Sequence, residues 1–162
     1  MKGREGTVRS AQESEIAHLA QLWYDGWQDA HAGILPAELA RYRTLESFGR
    51  RLRASLSQVR VTGPIGAPVG LCMVMNDELN QLYVSADARG TGVAALMLTD
   101  AEKRIRHSGF TAAWLACAIG NQRAARFYEK NNWVRTGNVV IEHETPGGVI
   151  ALEVWRYEKA LT

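Results

Sequence analysis

The sequence predicts an α+β fold: one domain spanning residues 1–162, built on a mixed, mostly antiparallel, twisted sheet with helices on both faces. Three observations carry this. Segments with apolar residues at three- and four-residue spacing are interleaved with short segments of alternating or continuous apolar residues. In the middle of the chain these come as strand, helix, strand, helix, while turn residues join strand directly to strand elsewhere. A balance of 46% hydrophobic to 22% charged residues over 162 positions is that of a globular chain able to bury a substantial core.

Thr7-Val8-Arg9 opens with a short strand, and Ser10-x-x-Glu13 has the capping-box pattern of a helix start. Ile16, Leu19, Ala20, Trp23 and Trp27 then place one apolar face along a helix that Asp29 to Pro36 breaks. Two shorter helices follow, from Pro36 to about Tyr42 and from Leu45 to about Leu56. Gln58–Thr62 and Val69–Met75 read as strands joined by the Gly63-Pro64…Pro68 turn. Glu78–Val84 is the next strand, Gly92–His107 a helix, Ala112–Cys117 an apolar strand and Asn121–Asn131 a helix. Trp133–Thr145 and Val149–Tyr157 close the chain as a hairpin around Pro146-Gly147-Gly148.

Bulk charge excludes several classes of function. Lys and Arg number 19 against 17 Asp and Glu, a net +2 that is too small to argue for nucleic acid. The two cysteines, Cys72 and Cys117, sit in apolar runs without zinc or redox spacing, so they read as buried free thiols and no metal is expected. Met1–Gly6 opens polar with no apolar stretch behind it, and no run is long enough to cross a bilayer. The expectation is a cytoplasmic protein with no membrane partner.

The chemistry centres on Arg89-Gly90-Thr91-Gly92-Val93-Ala94, at the entrance to the helix whose apolar face is Ala94, Met97, Leu98, Ala101 and Ile105. The first turn of a helix carries N–H groups without internal partners, and glycines let an anion approach that backbone. Glycines in such a place also serve as loop punctuation. A Walker loop needs a Gly-Lys-Ser/Thr ending, and Gly90–Leu98 has no lysine. The dinucleotide fingerprint Gly90-x-Gly92-x-x-Ala95 needs a carboxylate at the end of the next strand, where Ala118-Ile119-Gly120 has none.

A third pattern fits better. Arg89-x-x-Gly92-x-Ala94 resembles the Gln/Arg-x-x-Gly-x-Gly/Ala signature of the GNAT (GCN5-related N-acetyltransferase) superfamily. Leu82-Tyr83-Val84 resembles the strand before it, and Asn121-Gln-Arg-Ala-Ala-Arg-Phe-Tyr128-Glu-Lys-Asn-Asn-Trp133 the family's Asn…Phe-Tyr-Glu-Lys-x-Gly-Phe segment. The likeness is strongest from Leu79 to Trp133 and looser over Trp27…His31-Ala-Gly-Ile-Leu-Pro36. Asn132 replaces the usual glycine, which a left-handed cap tolerates, and Trp133 the usual phenylalanine.

This resemblance implies an N-acetyltransferase that moves acetyl from acetyl-coenzyme A to a primary amine by direct attack, with a non-catalytic acyl-coenzyme A-binding regulatory module as the alternative. It implies that the backbone from Arg89 to Ala94 holds the pyrophosphate and that Leu82, Tyr83 and Val84 pair with the pantetheine arm. The chemistry asks for an oxyanion donor, a proton acceptor for the amine and a donor to the departing thiolate. By resemblance these are the Val84 N–H, Glu78 and Tyr128, with His31, Glu142, His143 or a water wire as other routes for the proton. Read as residues alone, Tyr128 also suits a core aromatic, Glu78 a solvated strand end, and Asn121 both a helix N-cap and a cofactor contact. The acceptor is a small molecule or a peptide end, and a homodimer through the last strands is compatible with the family pattern.

Overall fold

The computed structural model describes residues 7–162; the polar opening Met1–Gly6 lies outside them. In chain order the elements are β1 (Val8–Ser10), α1 (Ile16–His31), α2 (Ala37–Ala40), α3 (Leu45–Ala54), β2 (Val59–Thr62), β3 (Gly70–Met75), β4 (Glu78–Val84), α4 (Val93–His107), β5 (Ala112–Ala118), α5 (Gln122–Lys130), β6 (Val134–Thr145) and β7 (Gly148–Ala160). The strands form one sheet in the order β1-β2-β3-β4-β5-β7-β6. Every neighbouring pair is antiparallel except β4 and β5, which run parallel. The predicted α+β architecture is therefore present.

Helices cover both faces because each carries an apolar stripe. On one face, α1 and α3 bury Leu19, Trp23, Trp27, Phe48 and Leu52 against Leu71 and Met73 of β3. On the other, Met97, Leu98, Ala101 and Ile105 of α4 and Ala125 of α5 pack against Cys72, Leu115 and Tyr157. The apolar positions read for α1 and α4 are the buried ones, except Ala94, which is half-buried at the helix mouth.

The start of α1 differs from expectation. A 3-10 turn, Glu13–Glu15, leads into the helix, and its capping box is Gln12 with Glu15, not Ser10 with Glu13: the Gln12 N–H donates to Glu15 Oε1 at 2.9 Å. Glu15 is the better anchor because its buried carboxylate also receives Arg9 from β1, at 2.7 and 2.9 Å, and the Gly66 N–H at 3.0 Å. These partners hold its carboxyl at about 2, the Arg9 guanidinium being the largest cause.

A bulge in β4 makes that strand bend away from its parallel neighbour. Met73 pairs with Gln81 but Val74 with Leu79, so Asn80 is the extra residue. The bulge resets the side-chain alternation, and Leu79 and Leu82, three apart, both pack on the α4 face while Tyr83 packs on the α1 face. A bulged strand bends, and β4 leaves β5 directly after its first residue. Their ladder is the single register pair Glu78 with Trp114, held by the Trp114 N–H on Asp77 O at 3.0 Å.

Candidate active site

Between the diverging β4 and β5 lies a cleft of about 550 Å³, closed on its sides by α4, α5 and the end of α1. Its walls come from the hydrogen-bond pattern of β4. The Ser85 N–H donates to Val69 O at 2.8 Å, so residues 81, 83 and 85 turn their backbone groups toward β3. Leu82 and Val84 therefore turn theirs toward β5, beyond the point where β5 pairs. The strand presents an unpaired edge inside the cleft, a template for an extended, amide-bearing ligand.

The mouth of α4 borders the same cleft. Gly90 and Gly92 have φ of +77° and +88°, the left-handed region where a side chain costs energy. Gly92 is the N-cap and supplies no side chain to the helix end. The N–H groups of Gly90, Gly92, Val93, Ala94 and Ala95 meet no acceptor among the described residues, whereas Thr91 N–H bonds Ala88 O at 3.3 Å. Left-handed glycines that turn successive N–H groups outward at a positive helix end make a concave anion site.

Tyr128 faces these elements from α5, which Asn121 caps by accepting the Ala124 N–H at 3.3 Å. Asn132, the departure from the family glycine, takes a left-handed φ of +70° just beyond that helix. The Tyr128 ring packs against Phe127, Trp133 and Tyr157, with centroids 5.3, 6.1 and 6.1 Å away. Its hydroxyl has no hydrogen-bond partner among the described residues, and burial pushes its pKa above the ordinary phenol value. Cys117 of β5 lines the cleft nearby as a free thiol, pushed up to about 11 by burial, and so stays protonated at neutral pH.

Of the residues read from sequence, Leu82, Tyr83, Val84, Arg89, Gly90 and Gly92 line this cleft, as do Ala94, Asn121 and Tyr128. Thr91 and Val93, on the same turn, are not in the lining. Glu78 is not brought to the others: it lies at the joint where β4 still pairs β5, and its Oε1 accepts the Asn80 side chain at 2.7 Å. His31, at the end of α1, does line the cleft. Its Nδ1 is buried without a partner among the described residues, and burial lowers its pKa to about 4, leaving a neutral ring.

The ion pairs of the rim join residues far apart in the chain. Asp29 of α1 bonds Arg89 at 2.6 Å and Arg123 of α5 at 3.3 Å, tying the anion loop to both walls. These residues are 60 and 94 positions from Asp29, so no local pattern joins them and the sequence gives no sign of the tie. Arg126 is exposed.

The acetyltransferase (GNAT) family model matches residues 18–133. Among solved structures, a GCN5-related N-acetyltransferase from Rhodopseudomonas palustris aligns at 20% identity with a TM-score of 0.75, over 99% of this chain and 98% of that one. An N-acetyltransferase from Staphylococcus aureus aligns at 16% identity and TM-score 0.70, over 96% and 98%. The PaiA N-acetyltransferase from Thermoplasma acidophilum, in complex with coenzyme A, aligns at 19% and 0.67, over 95% and 98%. No curated protein matches the sequence.

Proposed function

The chain belongs to the acetyltransferase (GNAT) family, and from that premise we propose that it transfers acetyl from acetyl-coenzyme A to the primary amine of a small molecule or peptide. The carrying observation is the unpaired edge of β4 opening beside the left-handed Gly90–Gly92 mouth of α4. That pairing of an amide template with an anion site fits a ligand that is a diphosphate at one end and an amide-rich arm at the other. The coenzyme A bound by the Thermoplasma relative supports the same reading.

When bound, acetyl-coenzyme A supplies a thioester whose carbonyl an amine attacks. The free N–H groups from Gly90 to Ala95 hold the pyrophosphate, with Arg89 beside them. The backbone of Leu82 and Val84 pairs with the pantetheine amides, and Asn121 and Tyr83 complete the walls. The Val84 N–H faces the charge that collects on the carbonyl oxygen, where a preorganised donor is worth most. Tyr128, protonated throughout the physiological range, donates its hydroxyl hydrogen toward the sulfur. Cys117 holds its proton and is no nucleophile, which favours direct transfer over an acyl-enzyme.

For the amine proton the geometry favours His31 over Glu78, because His31 lines the cleft as a neutral ring and Glu78 does not line it. Transfer is tested by following thiol release from acetyl-coenzyme A with a panel of amines. A rise in melting temperature with coenzyme A but no thiol release with any amine would favour the regulatory-module reading. A homodimer would use β6, one of the two outer strands of the sheet, with Val134 and Val140 exposed along it. Sedimentation of the protein as a monomer at micromolar concentration would rule it out.

A further inference from the structure

On the α1 face of β4, three segments meet around Tyr83: the end of α1, the α2–α3 link with α3, and β6 near its hairpin turn. Tyr83 is pressed onto α1 so closely that a Cβ on Gly26 would stand 2.6 Å from its ring. Two arginines converge there. Arg51 of α3 lies with its guanidinium carbon 4.4 Å from the Trp23 ring centre and 5.7 Å from that of Phe48. Arg43 reaches the same region from the α2–α3 link, its Nη2 3.1 Å from His143 Nδ1 on β6.

Neither guanidinium has an ion-pair partner among the described residues, in contrast to Arg9 with Glu15 and to Arg89 and Arg123 with Asp29. The aromatic faces hold the plane of Arg51 but use none of its N–H donors. Arg43 spends one donor on a histidine that must be neutral to accept it. Burial lowers the pKa of His143, and the charges of Arg43 and Arg51 lower it further. Burial, then the charge of Arg43, lowers Arg51 to about 10. Two like charges held partly out of water without a counter-ion are costly, and a site that keeps them so is arranged for an anion that arrives. The His31 Nδ1, buried and unpartnered among the described residues, stands on α1, the helix that Tyr83 packs against.

We propose that the acceptor amine carries a carboxylate or an equivalent oxyanion, bound by Arg43 and Arg51 beside Tyr83. The inference builds on the acetyltransferase reading and names its substrate class. Two planar guanidiniums match the geometry of a carboxylate, which neutralises the pair and takes the donors the protein leaves unused. A cationic acceptor such as a polyamine is disfavoured by the same charges.

The test uses matched trios of acceptors: amino acids, their carboxamides and the corresponding decarboxylated amines, with phosphonate analogues as a further arm. Thiol release should give the acids a kcat/KM higher than the amides by about tenfold or more, mostly through KM, as expected for a charge-assisted pair. The phosphonate arm tells a carboxylate site from a general oxyanion site. Arg43→Gln and Arg51→Lys should each cut the acid-to-amide ratio several-fold, while coenzyme A still raises the melting temperature; the lysine keeps the stem and charge if Arg51→Gln fails to fold. Equal rates for acid and amide, a cationic amine as best acceptor, or unchanged ratios in both variants would overturn the proposal. If coenzyme A stabilises the protein but no carboxylated amine is turned over, this inference falls and the cofactor reading stands. If coenzyme A does not bind at all, the acetyltransferase reading falls and takes the inference with it.

Discussion

Replacing Tyr128 by phenylalanine separates a catalytic hydroxyl from a structural ring. The ring has contacts on three sides, from Phe127, Trp133 and Tyr157, and phenylalanine keeps all of them. The hydroxyl makes no hydrogen bond to the described residues, so its loss strands no protein donor or acceptor. Stability should then change by no more than about 0.5 kcal/mol, or roughly 1–2 °C in Tm for a chain of this length. A proton donor to the leaving sulfur is worth on the order of a hundredfold in rate, which corresponds to about 2.7 kcal/mol of barrier. Because burial raises the phenol pKa, the wild type should show no loss of rate from phenolate formation below about pH 10. The assay is single-turnover thiol release beside a coenzyme A titration followed by melting temperature. A fall of about a hundredfold in rate with coenzyme binding unchanged is the expected result. Equal losses in turnover and binding, or an unchanged rate, would refute the role.

The charges yield three more expectations. Glu15 is held at about 2 against 4.5 when free, so it stabilises the fold above pH 4.5 and loses that contribution as pH falls from 4.5 toward 2. The shift corresponds to about 3 kcal/mol, and Glu15→Gln should flatten the acid limb of a denaturation-against-pH series. With His31 lowered to about 4, it is deprotonated from pH 5 upward. The rise of kcat/KM with pH should accordingly track the acceptor's own amine pKa and move when that amine is changed; a fixed enzyme pKa between 6 and 8 would remove His31 as the proton acceptor. Asp29→Asn frees Arg89 and Arg123 from their shared carboxylate. It should tighten coenzyme A several-fold at low salt and less at high salt, by calorimetry, while weaker binding would mean that the tie positions the loop.

The parts of the molecule legible in the sequence are those set by local periodicity. The stripe Met97, Leu98, Ala101 and Ile105 is buried as its spacing requires, and Gly92 takes the left-handed turn that its place before a helix demands. Pairs distant in the chain are not legible. The capped turn that leads into α1 starts at Gln12 rather than Ser10 because Arg9 and Gly66 converge on Glu15, and nothing local announces that convergence. The place of Glu78 on β4 is legible, but its direction depends on Asn80. A bulge is a relation between two strands, and Asn80 alone looks like any polar strand residue.

On the proposed reading, that bulge also explains how one strand would serve two ligands of different character. Its reset of the alternation puts Leu82 on the α4 face and Tyr83 on the α1 face, while both residues stay at the open end of the cleft. On the coenzyme side, negative charge meets backbone dipoles, and the nearby arginines are already neutralised by Asp29. On the acceptor side it meets Arg43 and Arg51 with no carboxylate of the described chain to quench them. Dipoles attract an anion without demanding a counter-ion when it leaves, which suits a cosubstrate exchanged every cycle. Unpaired guanidiniums discriminate by charge, which suits the side where one amine must be chosen among many. Placing the selective element away from the anion loop allows the acceptor to change through residues of α3 and the α2–α3 link, with the Arg89–Ala94 turn left as it is.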